Sequence, residues 1–207
     1  MSEHLLEVDD LYVEFRTRDG VAKAINGVSY TLDAGETLAV LGESGSGKSV
    51  TAQTIMGILD MPPGFITGGE IRYKGSDLLQ LPEKERQNIR GAEIAMIFQD
   101  SLSALNPVFT VGDQIAEMFQ VHRGMSKKEG MKRAVDLMEQ VRIPAAKERV
   151  KDYPHQFSGG MRQRIMIAMA ISLDPAVLIA DEPTTALDVT VQAQIMELLQ
   201  DLQRERN

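Results

Sequence analysis

The chain has 207 residues, 43% of them hydrophobic and 25% charged, the proportions of an ordinary globular domain with room for a well-buried core. A net charge of −8 argues against a general nucleic-acid binder, which needs a basic face, and the absence of cysteine excludes disulfides, thiolate metal sites and cysteine nucleophiles. No apolar run approaches the roughly 18 residues of a membrane span, and Met1–Asp10 lacks the basic and apolar stretches of a signal peptide. The chain is therefore expected to be soluble and intracellular, with any membrane role through a partner.

The chain opens with short apolar runs, Leu6 and Val8, then Leu11, Val13 and Phe15, then Val28, Tyr30 and Leu32. Turn signals at Asp19-Gly20 and Ala34-Gly35 break them up, which predicts an antiparallel strand group. Thr37 to Leu41 is a continuous apolar run, read as a buried parallel strand. It leads into Gly42-Glu43-Ser44-Gly45-Ser46-Gly47-Lys48-Ser49, which fills the phosphate-loop (Walker A) pattern G-x-x-x-x-G-K-[ST]. Ala52, Ile55, Met56 and Leu59 then recur at helical spacing.

Strand, glycine loop and helix is the order that phosphate binding requires. Glycines let backbone N–H groups turn inward around phosphate oxygens, and the helix N-terminus adds partial positive charge. Lys48 is placed to reach the β- and γ-phosphates and the Ser49 hydroxyl to ligate Mg²⁺. The chain is expected to bind a nucleoside triphosphate.

Met61-Pro62-Pro63-Gly64 ends that helix, Glu70 to Tyr73 reads as a strand, and Ile94 to Phe98 as a second buried one. From about 100 to 172 the pattern is helical. Ser126 with Glu129 forms a capping box, ahead of Ala134, Val135, Met138 and Val141 on one face. Met161, Met166 and Met169 read as core packing rather than a cofactor feature, and His4, His122 and His155 are not at metal-ligand spacing. Val177 to Ala180 is an apolar strand running into Asp181-Glu182. The last segment, Val189 to Arg206, is amphipathic through Val191, Ile195, Leu198, Leu199 and Leu202. A strand ending in Asp-Glu resembles a Walker B element, with Asp181 helping to hold Mg²⁺ and Glu182 as the general base for the attacking water.

Between the two Walker elements stands Phe157-Ser158-Gly159-Gly160-Met161-Arg162-Gln163-Arg164. Ser-Gly-Gly opening a helix in this position resembles the signature of ATP-binding cassette (ABC) ATPases, and it combines a hydroxyl, bare amides and a helix N-terminus. The usual form is LSGGQ; here Phe157 replaces the leucine and Met161 the glutamine. The resemblance implies that Ser158, Gly159 and Gly160 bind the γ-phosphate held by an opposite subunit. It also implies that Gln99 is the Q-loop glutamine, sensing Mg²⁺ and the membrane partner, and that Ala186-Leu187-Asp188 is the D-loop at the dimer interface. Phe15 stands where an aromatic ring stacks on adenine, with Tyr12 as the alternative.

The wording between the motifs is more specific. Ala95 to Asp100, Ser103 to Pro107, Tyr153 to Gln156 and Ala180 to Thr190 together resemble the ATPases of dipeptide, oligopeptide and nickel importers. The resemblance implies an α/β P-loop NTPase core of the ABC type, with an N-terminal antiparallel β group and an inserted helical subdomain. It is expected as a single domain, core 1–99 and 173–207 with the helical part at about 100–172. The cofactors implied are ATP and Mg²⁺. The partners implied are a second ABC ATPase subunit, transmembrane permease subunits and, indirectly, an extracytoplasmic solute-binding protein, at the cytoplasmic face of the membrane and without nucleic acid. The family's switch histidine follows the D-loop helix, and no histidine follows His155 here. C-terminal truncation and weak hydrolysis by the chain alone are therefore expected. A soluble non-transport ABC ATPase and a non-hydrolytic fragment are the alternatives.

Overall fold

A computed structural model describes residues 4–185 and 187–206. The chain divides into two compact units, Met1–Gln87 and Asn88–Asn207.

The first unit is built on a four-stranded antiparallel sheet of order β2-β1-β3-β4: β1 (Leu6–Thr17), β2 (Gly20–Leu32), β3 (Gly64–Tyr73) and β4 (Ser76–Asp77). Asp19-Gly20 turns β1 into β2 with Thr17 opposite Gly20, as the turn signal predicts. Leu6, Val8, Leu11, Val13, Ile25 and Ile71 form its buried face. The register of β1 shifts between Asp9 and Tyr12, where Asp10 takes φ 46°. Opposite the bulge, Gly69 has φ 90°, and a Cβ there would collide with the Asp10 carbonyl. Only glycine suits both demands. Helix α1 (Lys48–Met56) follows the glycine loop and closes at Gly57, φ 64°, with Thr51, Ala52, Thr54, Ile55 and Met56 buried. The short helix α2 (Glu83–Ile89) runs across the division between the units and has no buried residue.

One expectation fails here. Thr37 to Leu41 forms no strand, and Leu38, Val40 and Leu41 are 41%, 51% and 92% exposed. A continuous apolar run marks a buried strand only where neighbouring strands take its hydrogen bonds and layers cover both faces. The sheet of this unit is antiparallel and does not include these residues.

The second unit pairs β5 (Ile94–Ile97) with β6 (Val177–Ala180) in parallel, Ile94 opposite Val177 through Ile97 opposite Ala180. Between them in sequence lie α3 (Ser101–Ala104), α4 (Val111–Arg123), α5 (Lys127–Gln140), α6 (Ala146–Arg149), a 3₁₀ turn Pro154–Gln156 and α7 (Gly159–Ile171); α8 (Val189–Arg206) ends the unit. The Ser126–Glu129 capping box forms with both bonds. Ala134, Met138 and Val141 are fully buried, joined in one core by Ile115, Ile165, Ile167, Ile195 and Leu198. Met166 lies in that core, with Met161 and Met169 packed against it, as methionines at helical spacing should. Arg164 is also buried there, donating to the Val141 carbonyl at 3.1 Å and to Gln194 Oε1 at 3.1 Å, and burial pushes its pKa down. No helix of the described residues is long and apolar enough to cross a membrane.

Candidate functional site

In the first unit, the glycine loop runs into α1 through two residues of positive φ, Gly45 at 81° and Gly47 at 93°. Gly47 is the N-cap and has no side chain to satisfy the first-turn amides, which have no intrahelical carbonyl of their own. A Cβ on Gly47 would strike the Ala24 carbonyl, and one on Gly42 would strike the Ser46 hydroxyl, whereas Gly45 faces open space. The loop is thus pinned against β2 at one glycine and open at another. Lys48 Nζ donates to the carbonyls of Gly42 at 2.8 Å and Glu43 at 3.0 Å, folding back across the loop. Amides, an ammonium group and a helix N-terminus around one concave turn fit an anion with several oxygens.

The two aromatic candidates part company. Tyr12 bonds its hydroxyl to Asp10, which raises its pKa, and packs over Gly27 and Gly68 beside the bulge. Phe15 alternates onto the face of β1 that carries Val13, whose partner Ile25 lies next to Gly47. Phe15 is therefore on the loop side of the sheet and half-exposed; Tyr12 is committed to the other face.

In the second unit, β5 and β6 deliver Gln99 and Asp181-Glu182 to the same end of the parallel pair, and the Asp181 amide donates to the Ile97 carbonyl at 3.0 Å. Gln99 Nε2 donates to Glu182 Oε2 at 2.9 Å, and the Thr185 hydroxyl donates to the same oxygen at 3.0 Å. Glu182 takes φ 43°, a left-handed backbone that costs a non-glycine residue energy and recurs at functional sites. Two donors thus aim one carboxylate oxygen. Sequence reading did not give Thr185 a role. Its three-residue offset from Glu182 is the signal that could have found it; in the structure the Thr185 amide also donates to the Glu182 carbonyl.

At the start of α7, Ser158 is exposed and caps the helix, its hydroxyl accepting from the Met161 amide at 3.4 Å. A Cβ on Gly160 would lie 2.7 Å from Val191 of α8, while one on Gly159 would meet nothing closer than Leu187 at 3.7 Å. Asp188 accepts from the Val191 amide at 3.0 Å and so caps α8; of the expected D-loop, Ala186 lies outside the described residues. His4 bonds to Asp33 at 2.7 Å, and among the described residues no group of three His, Cys, Asp or Glu could hold a metal ion. The donors assigned to Mg²⁺, Ser49, Gln99 and Asp181, are all hard oxygens. Oxygen is the donor type magnesium takes, so each residue fits by its own chemistry.

The profile of the family described as ABC transporter matches residues 25–185. The chain is 58% identical over 201 residues to the oligopeptide transport ATP-binding protein OppD of Bacillus subtilis (strain 168), covering 97% of this chain and 56% of that protein. It is 55% identical over 203 residues to the dipeptide transport ATP-binding protein DppD of the same organism, covering 98% and 61%. The chain thus spans somewhat over half the length of these curated relatives. Among solved structures, it resembles the ATP-binding cassette MJ0796, a dimer in a post-hydrolysis state bound to ADP and Pi. That match has a TM-score of 0.83 and 30% identity, over 97% of this chain and 83% of that one.

Proposed function

Because the chain belongs to the ABC transporter family, we propose that it is the ATP-binding and ATP-hydrolysing part of a peptide importer. The carrying observation is the Gln99–Glu182 bond of 2.9 Å, which with Thr185 orients one carboxylate at the end of the β5–β6 pair. In this reading Gly42 to Ser49 bind the triphosphate, with Lys48 neutralising its β- and γ-phosphates and Phe15 stacking on adenine. Ser49, Asp181 and Gln99 are the residues to hold Mg²⁺, which when bound neutralises charge on the phosphates. Glu182 accepts the proton of the water that attacks the γ-phosphorus. The bond to the β-phosphate oxygen breaks, and ADP and inorganic phosphate leave.

Ser158, Gly159 and Gly160, at a helix start with an exposed hydroxyl, serve the triphosphate of a second cassette, and Asp188 contributes at that interface. The cassette dimer works beneath permease subunits at the cytoplasmic membrane face, fed by a solute-binding protein. The substrate class rests on the peptide-transport relatives, at 58% and 55% identity. Deleting the gene for this chain should abolish uptake of labelled oligopeptides and leave amino-acid uptake intact. Undiminished peptide uptake would remove the import reading.

A further inference from the structure

Arg149, the last residue of α6, uses all three guanidinium nitrogens around the start of α7. Nε donates to Asp152 Oδ2 at 3.1 Å, Nη1 to the Met161 thioether at 3.3 Å, and Nη2 to the Gln156 carbonyl at 3.0 Å. Its guanidinium carbon also stands 4.0 Å from the centroid of the buried Phe157 ring. The gripped residues flank Ser158, Gln156 and Phe157 before it and Met161 one turn after. Ser158's own cap bond, at 3.4 Å, lies beyond the usual N–H···O range and holds the turn weakly.

Phe157 and Met161 are also the two positions at which this chain departs from LSGGQ. A leucine has no π face for a cation, and a glutamine would present an amide where the thioether now stands. The departures and the arginine therefore form one contact set. Arg149's ion pair with Asp152 is an i,i+3 surface pair, with side chains 23% and 30% exposed, and such pairs add little to stability. The contacts that distinguish Arg149 are the ones to the turn.

We propose that Arg149 is a positioning residue for the Phe157–Met161 turn, holding it so that the exposed Ser158 hydroxyl and the first amides of α7 keep one orientation toward a triphosphate. The ligand in this statement rests on the ATPase reading; the gripping of the turn does not. Lysine at 149 keeps the charge but loses the planar fork and the flat face that stacks on Phe157.

Three measurements on Arg149→Lys test it: hydrogen exchange across Phe157–Arg162, ATP-Mg²⁺ affinity, and phosphate release per folded molecule. Exchange across the turn should rise about tenfold with the rest of the second unit unchanged. Affinity should be unaltered while turnover falls about tenfold, a split that general loss of structure does not produce. Phe157→Leu/Met161→Gln, which removes the partners and keeps Arg149, should loosen the turn in the same way, and adding Arg149→Lys to that pair should change little more. Wild-type exchange across Phe157–Arg162 in Arg149→Lys overturns the proposal, as does full turnover. If the unsubstituted chain releases no phosphate, the ATPase reading fails and the exchange result alone decides whether Arg149 positions the turn. If Arg149→Lys does not fold, the Phe157→Leu/Met161→Gln pair decides by the same exchange criterion.

Discussion

Gln99 and Glu182, 83 residues apart in sequence, meet in one hydrogen bond of 2.9 Å. Parallel pairing makes this possible: β5 and β6 align Ile97 with Ala180, so the residues that follow each strand emerge side by side. Thr185 donates to the same oxygen from within the turn.

Glu182→Gln should preserve this arrangement, since an amide oxygen accepts both bonds, while removing the base. Phosphate release should fall by about 10²- to 10⁴-fold with ATP affinity retained. Gln99→Ala, which leaves the carboxylate one orienting donor short, should cost about tenfold. Turnover at the unsubstituted rate in Glu182→Gln would show that hydrolysis comes from elsewhere.

Local signals carried much of the architecture. The Asp19-Gly20 turn, the Ser126–Glu129 box and the apolar stripe of α8 are each decided by neighbours within a few residues, and each forms as read. Thr37 to Leu41 failed because a buried strand is a property of its neighbours, which the run itself does not encode. The motifs located Glu182 and Gln99, but not the left-handed φ of 43° at Glu182 or the bond from Thr185. Arg149 was invisible for the same reason: a lone arginine in a charged stretch shows nothing of the ring and thioether it will meet.

Lys48 folds back onto the Gly42 and Glu43 carbonyls at 2.8 and 3.0 Å, both on the exposed loop. Lys48→Ala leaves those carbonyls to water, so the fold should lose little. ATP-Mg²⁺ should stabilise the unsubstituted chain by about 2.7 kcal/mol at a hundredfold excess over Kd. The Lys48→Ala chain should show almost none of this in thermal unfolding at the same concentration. Equal stabilisation of both would mean that nucleotide binds away from the loop.

Asp113 is the third residue of α4. Lys127 donates to it at 2.9 Å and the Thr110 hydroxyl at 2.8 Å, and together they hold its carboxyl below its usual 3.8. A depressed folded pKa gives stability that is present above the unfolded value and lost as pH falls through the folded one. Asp113→Asn should therefore destabilise near pH 7, and the gap to the unsubstituted chain should narrow as pH falls below 3.8. Because Lys127 is 72% exposed, salt should weaken the effect. Thr110→Ala, which also removes the cap on the Asp113 amide, should cost about 1 kcal/mol. A gap in urea unfolding that persists at low pH would assign the loss to packing instead.

The two signature glycines should respond in opposite ways. Alanine is the better helix former, by about 1 kcal/mol in a helix interior and by less in the first turn, so each substitution starts with a small gain. At Gly160 the new methyl group would lie 2.7 Å from Val191 Cγ1, on a β-branched side chain that has little freedom in α8. Overpacking of this kind costs about 1–3 kcal/mol and should outweigh the gain. Val191→Ala should restore the lost stability in the double variant. At Gly159 the nearest atom is 3.7 Å away, an ordinary contact, so the helix gain should survive and the melting temperature should hold or rise. Turnover should nevertheless fall, because a methyl group beside the first amide of α7 keeps phosphate oxygens at a distance. A Gly159→Ala chain that is stable and fully active would mean that this glycine serves the helix alone. Loss of stability there without relief from any change at Leu187 would contradict the packing described for the start of α7.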